Sequence, residues 1–395
     1  MTTTDETRSI PIVDDLTSEI PPVVDDESTD ESTDESGEVE EFRPSKAGWF
    51  ARGLVWAVLA WLVFAYPVNF FSPFEVGVSD ADTASLAVIF AIVGLSLNVL
   101  LGYAGQISLG HQAFVGIGAF TSSYIVTDLK LSFWLAVAIA AAFGAVQAAV
   151  LGAISLRVSG LYFALVTLAY GTFAEEFLFG ITALTGGEGG KPAPRPIAFA
   201  DEYRYYFLCL GFLALVLWLD WRLTRTKAGR GLMALRENPR VAASYGINVK
   251  AYIMLAFVVS GVFAGIAGSL LAHHDEVIVG SRFNFQLALI FVLMTVVGGL
   301  RDRVGVVIGS VFFALLGSGK LVTMLNLDGF FEGVLGLPTE FVALVVGPIL
   351  LLLTITKYPG GIGQQVAPIR VWLRGRRFDR HAGAVHEVEV TDVRA

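Results

Sequence analysis

The apolar positions of this chain fall in runs long enough to cross a hydrocarbon core about 30 Å thick, a distance that takes roughly 20 residues of helix. Read by run length, they predict about ten membrane helices, at 50–70, 83–101, 111–127, 131–154, 161–179, 204–221, 251–272, 285–300, 304–324 and 339–356. The run at 111–127 is short, and 285–300 with 304–324 also fits a re-entrant hairpin, so the pattern allows eight to ten spans. The fold class that follows is an all-α polytopic membrane protein. Between the sixth and seventh runs the pattern stops for "TKAGRGLMALRENPRVAASYGINV", residues 226–249, where four basic residues face a single acid, Glu237.

Composition agrees. Of 395 residues 54% are hydrophobic and 16% charged, with a mean hydropathy of +0.65, and a soluble protein of this size carries far more charge. The single cysteine, Cys209, excludes an internal disulfide and, with five scattered histidines, argues against a metal or redox site. No nucleophile with a suitable base and no metal-ligand spacing stands out, so an enzyme is not expected. Fifteen of the 36 acidic residues lie in 1–42 beside one base, Arg8, which leaves the remainder net positive. That head, with its tandem "STDESTDES", holds too little apolar surface to fold alone. Residues 1–46 are therefore expected to form a disordered cytoplasmic tail. They lack the basic n-region and apolar core of a signal peptide.

Basic positions set the direction. Arg43, Lys46 and Arg52 open the first run, Arg157 follows the fourth, Arg301 and Arg303 follow the eighth, and six bases from Lys357 to Arg380 follow the tenth. With ten spans all of these face the cytoplasm, as the positive-inside rule requires, while Lys191, Arg195 and Arg282 dilute the contrast opposite. Both termini are expected inside, with 363–395 as a basic to mixed tail.

Within the runs, small residues recur every four positions. Gly261, Gly265 and Ser269 form one stripe, Ala264, Gly268 and Ala272 a second, Gly144, Ala148 and Gly152 a third, and Gly305 and Gly309 a fourth. Such stripes let helix backbones approach closely in lipid. "LGSGK" at 316–320 looks like a phosphate loop, but the full pattern needs glycine and Ser/Thr where the chain has Ala314 and Leu321. No cofactor is expected, and any ATP chemistry belongs to a partner.

"GYAGQISLGH", residues 102–111, interrupts two helices with three glycines, Gln106, Ser108 and His111. Irregular backbone at membrane depth persists only where protein or a wet cavity covers it, and transporters bind polar substrates at such breaks. A short cytoplasmic turn fits the periodicity equally. "TLAYGTFAEE", residues 167–176, sets Thr167, Tyr170, Thr172, Glu175 and Glu176 late in the fifth helix. A charge at the bilayer centre costs about 3 kcal/mol and usually serves a function, although solvation at the outer boundary also accounts for these acids. The candidate pathway residues are Gly105, Gln106, Ser108, His111, Gln112, Thr167, Tyr170 and Glu175. The glycines of "TALTGGEGG", 182–190, suit close approach of a ligand or docking protein, or a plain linker. Asn98 is expected to bond between helices. His273 and His274, beside Asp275 and Glu276 at an outer helix end, are expected to be solvated.

The polar stretch at 226–249 has helix-forming content broken at Pro239, which suits the first turn of a helix. It predicts two short helices, 227–237 and 239–245, ending at Gly246. Ala242, Ala243 and Ser244 leave a shallow surface suited to another protein's groove. A polybasic loop has no need of this pattern.

Taken together, "LSLNVLLGYAGQISLGHQAFVGIGAF" (95–120), "LRVSGLYFALVTLAYG" (156–171), "LTGGEGG" (184–190), "GRGLMALRENPRVAASYGINV" (229–249), "AFVVSGVFAGIAGSLLAH" (256–273) and "KYPGGIG" (357–363) resemble the LivM-type permease subunits of branched-chain amino acid ABC importers, over roughly residues 83–362. The resemblance implies a permease domain over 47–362 that carries leucine, isoleucine or valine inward across a prokaryotic cell membrane. It implies as partners a second related permease in a heterodimer, two cytoplasmic ATPases that bind the ATP, an extracytoplasmic binding protein and the lipid bilayer, with no nucleic acid. Residues 223–250 would be the coupling loop, docking through Arg230, Leu232, Leu235, Arg236, Glu237, Arg240, Ala242, Ala243 and Gly246. Three positions depart from the family pattern: Arg240 replaces an apolar residue, Ala243 an acid, and Thr172 the Glu expected after Gly171. A sister importer for urea, short amides or other amino acids is the neighbouring alternative, and a stand-alone secondary transporter or channel is the alternative of another class.

Overall fold

A backbone surrounded by apolar side chains has only itself to bond with, so the long apolar runs fold as helices. The computed structural model describes residues 46–64, 80–158, 160–318 and 360–373, with five single positions from 349 to 357. In chain order the helices are α1 (Lys46–Phe64), α2 (Asp80–Leu97), α3 (His111–Thr127), α4 (Phe133–Ser155), α5 (Leu161–Phe173), the one-turn α6 (Thr182–Thr185) and α7 (Glu202–Arg225). There follow α8 (Lys227–Glu237), α9 (Pro239–Ser244), α10 (Val249–Asp275), α11 (Phe285–Gly298), α12 (Arg303–Gly317) and α13 (Gly361–Leu373). Two of them run on as π-helix, α2 through Asn98–Tyr103 and α5 through Ala174–Leu178. Among the described residues five helices are long and apolar enough to cross a membrane, namely α4, α7, α10, and α2 and α5 with their extensions; α11 and α12 are shorter apolar helices. The expected span at 339–356, the ends of those at 50–70 and 304–324, the last two residues of "LGSGK", the acidic head and the chain beyond 373 lie outside the described residues.

The small-residue stripes decide the packing. Gly261 and Gly265 of α10 lie against α4, where a Cβ on Gly261 would stand 2.2 Å from the Gly144 carbonyl oxygen and one on Gly265 2.4 Å from that of Ala140. Gly268, on the next face of α10, lies against α3, where a Cβ would stand 2.0 Å from the Val115 carbonyl oxygen. A third side of α10 is covered by α2, with Ser96 Oγ donating to the Ser260 carbonyl at 2.7 Å. Glycine does the same work between α11 and α12, where a Cβ on Gly305 would stand 2.1 Å from the Gly298 carbonyl oxygen and 2.6 Å from Gly363 Cα of α13. Residues 361–373, which run from the expected permease domain into the expected basic to mixed tail at 363, are a helix packed on α11 and α12, pinned by Arg370 to Asp302 at 2.6 Å. Arg52 of α1 lies 5.4 Å from the Trp372 ring centre.

At the end of α10 remote from α8, β1 (Lys191–Pro192) pairs antiparallel with β2 (Val277–Ile278), Lys191 opposite Ile278. Arg195, buried beside this ribbon, donates to the carbonyls of His273 and His274 at 3.2 and 2.9 Å and pairs with Asp82 and Glu276. The expectation that the two histidines are solvated is corrected here. Both are buried, His273 bonding Ser122 Oγ at 3.0 Å and the Pro194 carbonyl at 2.8 Å, His274 held between Asp275 and Asp82. The 180–203 connection folds back over the helix end, which local reading of that end does not register.

Candidate functional site

The break between α2 and α3 descends into the bundle. His111, the first residue of α3, bonds through Nε2 to Ser96 Oγ at 2.9 Å, and Ser96 in turn bonds Ser260, which lies roughly 16 Å along α10 from Val249 at 1.5 Å per residue. Tyr103, by contrast, sits at the level where α7 nears its end, its hydroxyl donating to Asp220 at 3.0 Å. Residues 104–110 therefore climb from the α8 end of the bundle to well inside it. In this segment Ser108 and Gly110 are buried in protein, as irregular backbone at that depth requires, while Gly105 and Ile107 are exposed. Its second half packs on α5: the Leu109 N–H donates to Thr167 Oγ1 at 3.0 Å, and a Cβ on Gly110 would stand 2.0 Å from the Thr167 carbonyl oxygen. Its first half packs on α4 and α8, with Ser155 Oγ donating to Gln106 Oε1 at 3.2 Å and Gly105, at φ +67°, 3.2 Å from Arg236 Cγ by the same Cβ measure.

Of the candidate pathway residues, Gly105, Gln106, Ser108, His111, Gln112 and Thr167 are thus gathered on one segment and the α5 face against it. Ser108, His111 and Gln112 are buried, and Ser108 Oγ, His111 Nδ1 and both amide atoms of Gln112 have no hydrogen-bond partner among the described residues. Buried polar atoms are nearly always satisfied in a resting interior, so this cluster holds polar capacity to spare. Tyr170 is turned inward as well, its hydroxyl donating to Gln147 Oε1 at 2.7 Å. Glu175 stands apart from them, accepting the Phe285 N–H at the start of α11 at 3.2 Å. The face α5 presents outward is a different one, carrying Leu165, Thr172, Phe173, Glu176 and Phe177. Asn98 does bond between elements: its Oδ1 accepts the Arg301 N–H at 2.9 Å.

The polar stretch folds as α8 and α9, each opened by a side-chain cap. Thr226 Oγ1 accepts the Gly229 N–H, and Asn238 Oδ1 accepts those of Arg240 and Val241 ahead of Pro239 at the first turn. The pair has two faces. Leu232, Leu235 and Ala242 are buried against the bundle, and Gly231 is required where a Cβ would stand 2.4 Å from the Tyr252 ring. Arg230, Arg240, Ala243 and Gly246 are exposed, together with Val241 and Tyr245, one turn apart and 50% and 81% exposed. Leu232, Leu235 and Ala242 thus anchor the loop, whereas α9 presents its outward surface.

Arg236 and Glu237, the last two residues of α8, hold neighbouring elements. Arg236 Nη1 donates to the Gly102 carbonyl and Glu237 pairs with Arg301, whose guanidinium holds the Glu237 carboxyl below the usual carboxylate range. The π turn 98–103 is therefore gripped three times: at Asn98 by the backbone of the α11–α12 turn, at Gly102 by α8, and at Tyr103 by Asp220, itself fully buried and paired with Arg303. Asp220, Arg301, Arg303, Val241 and Tyr245 were not singled out by pathway or docking criteria in the sequence. For Asp220 the signal was present, a carboxylate inside an apolar helix, where ionisable residues are costly and usually paired. For Val241 and Tyr245 it was spacing i, i+4, which sets both on one side of the short helix.

A family model described as branched-chain amino acid transport system / permease component matches residues 81–354. The chain is 31% identical over 271 residues to the high-affinity branched-chain amino acid transport system permease protein LivM of Escherichia coli (strain K12), covering 62% of this chain and 64% of that protein. It is 27% identical over 282 residues to a probable branched-chain amino acid transport permease protein LivH of Methanocaldococcus jannaschii, covering 70% and 80%. To the nucleoside ABC transporter permease protein NupC of Lactococcus lactis subsp. cremoris it is 26% identical over 300 residues, covering 69% and 90%. The chain thus spans about two thirds of the length of the LivM relatives it matches, 64%. No solved structure matches it. With a multi-pass bundle, a partly buried intramembrane break and a capped two-helix loop at one end, the chain belongs to the family of branched-chain amino acid transport system permease components.

Proposed function

We propose that this chain is the membrane permease of an ABC importer and forms, with a second related permease, the path by which branched-chain amino acids enter the cytoplasm. ATP is hydrolysed by two partner subunits docked on α8 and α9, and an extracytoplasmic binding protein delivers substrate at the β1–β2 end. On this reading the α8 end, the N-terminus and the C-terminus are cytoplasmic, in the inner or plasma membrane of a prokaryote.

The observation that carries the reading is the α8–α9 loop: anchored by Leu232, Leu235 and Ala242, it offers Arg240, Val241, Ala243 and Tyr245 outward on a surface that a solitary transporter or channel has no use for. Gly105, Gln106, Ser108, His111, Gln112 and Thr167 form the part of the path nearest the loop. The unpartnered atoms of Ser108, His111 and Gln112 support this role, since a path for zwitterions needs polar groups that another state exposes. Tyr170 and Glu175 steady the helices around it.

The test is reconstitution with the partner subunits in vesicles. ATP-dependent uptake of labelled leucine is expected, together with loss of ATPase binding when 227–246 is deleted and a weakening of about tenfold or more for the pair Val241→Asp, Tyr245→Ala, as for removal of a central apolar anchor. ATPase retention by the deletion variant overturns the docking role. A second substrate reading has a specific basis in the match to a nucleoside permease; competition of leucine uptake by nucleosides, urea or short amides decides between them.

A further inference from the structure

Four contacts at the end of α8 close into a ring. Arg236 donates to the Gly102 carbonyl, Gly102 abuts Asn98 with a Cβ position 2.1 Å from its Oδ1, Asn98 Oδ1 accepts the Arg301 N–H at 2.9 Å, and Arg301 returns to Glu237, next to Arg236 in sequence. The ring joins the loop, the π turn of α2 and the α11–α12 turn. It sits where the intramembrane break begins, since Gly105 lies on the Arg236 side chain. Leu232 and Leu235 seat α8 on the bundle through buried apolar side chains, which are indifferent to small displacements. The Arg236 contact is not: a charge-assisted bond to a carbonyl is directional and is lost within about an ångström of movement. The carbonyl it holds belongs to a π-helical segment, a conformation that has a nearby α-helical register and recurs where helices change shape in function.

We propose that Arg236 is the positioning residue through which displacement of α8 reaches the break. With α8 seated, the guanidinium holds the Gly102 carbonyl and keeps residues 104–110 packed on α5. When α8 is drawn away, the carbonyl is released, the π turn rewinds, and the segment bearing Ser108, His111 and Gln112 leaves its packed position. Glu237 and Arg301 keep Arg236 in register with the α11–α12 turn. This rests on the reading of α8 and α9 as the site where the ATPases dock.

The test needs no knowledge of the substrate. Ile107, 42% exposed within the break, is replaced by cysteine, while the native Cys209 is buried and silent. In membranes holding the full chain with its partner permease and ATPases, the rate of maleimide labelling of Ile107→Cys is measured with and without a non-hydrolysable ATP analogue. Nucleotide is expected to change that rate about tenfold, the worth of one charge-assisted bond. Arg236→Ala is expected to remove the response while ATPase binding persists, and Arg236→Lys to restore part of it. The swap Glu237→Arg with Arg301→Glu is expected to respond better than either single change. An undiminished response in Arg236→Ala, or no response in the otherwise native complex with ATPases bound, overturns the proposal. Failure of the ATPases to bind the unaltered chain overturns the docking reading instead.

Discussion

Asp220 is the residue whose environment departs furthest from what its helix suggests. It lies fully buried in α7, accepts Tyr103 and pairs with Arg303, whose side chain is 27% exposed. Removing one partner of such a pair leaves the other uncompensated, so Asp220→Ala is expected to destabilise the bundle by about 3 kcal/mol, the low end for a buried pair because water still reaches Arg303. A thermal melt in detergent reads this as a lower Tm, with a smaller shift for Asp220→Asn, and an unchanged Tm for Asp220→Ala contradicts it. The Glu237–Arg301 pair behaves differently, being exposed and worth little to stability. Its carboxyl lies below the ordinary carboxylate value, so the pair is complete at neutral pH and opens only as pH falls through that lowered value. Its place in the ring gives it consequence, and its strength does not.

At the scale of elements, helix contact here is a matter of missing Cβ atoms. Gly268 against Val115 and Gly261 against Gly144 stand at distances no side chain tolerates, and the opposing atoms are backbone, which has no rotamer to yield. Gly268→Val is therefore expected to separate α10 from α3 and abolish the monodisperse peak in fluorescence-detected size exclusion. Gly211→Ala, where nothing lies within 4 Å, is expected to leave that peak unchanged or slightly stabilised. Equal loss in both variants contradicts the account. The same scale explains α8 and α9: a six-residue α9 has no stability of its own, and it persists because Asn238 caps it and Ala242 is seated on the bundle.

Over the whole molecule, both ends are held by directional polar links, placed differently. The α8 end is a set of directional polar links around the π turn, whereas the far end is clamped shut by Arg195 over the carbonyls of His273 and His274 and by the β1–β2 ribbon. Arg195 touches four groups from α2, α10 and the residue after it, all from one guanidinium. Arg195→Ala is expected to release the 190–200 connection without unfolding the bundle, read as amide exchange faster by about tenfold or more in that segment and unchanged in α10. Unaltered exchange across 190–200 excludes the clamp.

Run length, glycine spacing and the polar stretch were legible in the sequence because each is a local consequence of chain chemistry. Twenty apolar residues must bond to themselves in lipid, small residues four apart share one helix face, and Asn238-Pro239 starts a helix wherever it stands. Apart from the one-turn α6, the helices from α2 to α12 overlap the runs that predict them, with ends that differ by a few residues, and the break at 102–111 was visible as three glycines among polar groups. Tertiary structure alone decided which way those elements face. It turned Thr167 and Tyr170 inward, buried His273 and His274 under a connection from elsewhere in the chain, split the polar stretch into an anchoring and a presenting face, and brought Arg236, Glu237 and Arg301 to the π turn of α2. Those contacts join residues as far apart as 203 positions, and no local pattern encodes a partner whose approach depends on how the helices between them have packed.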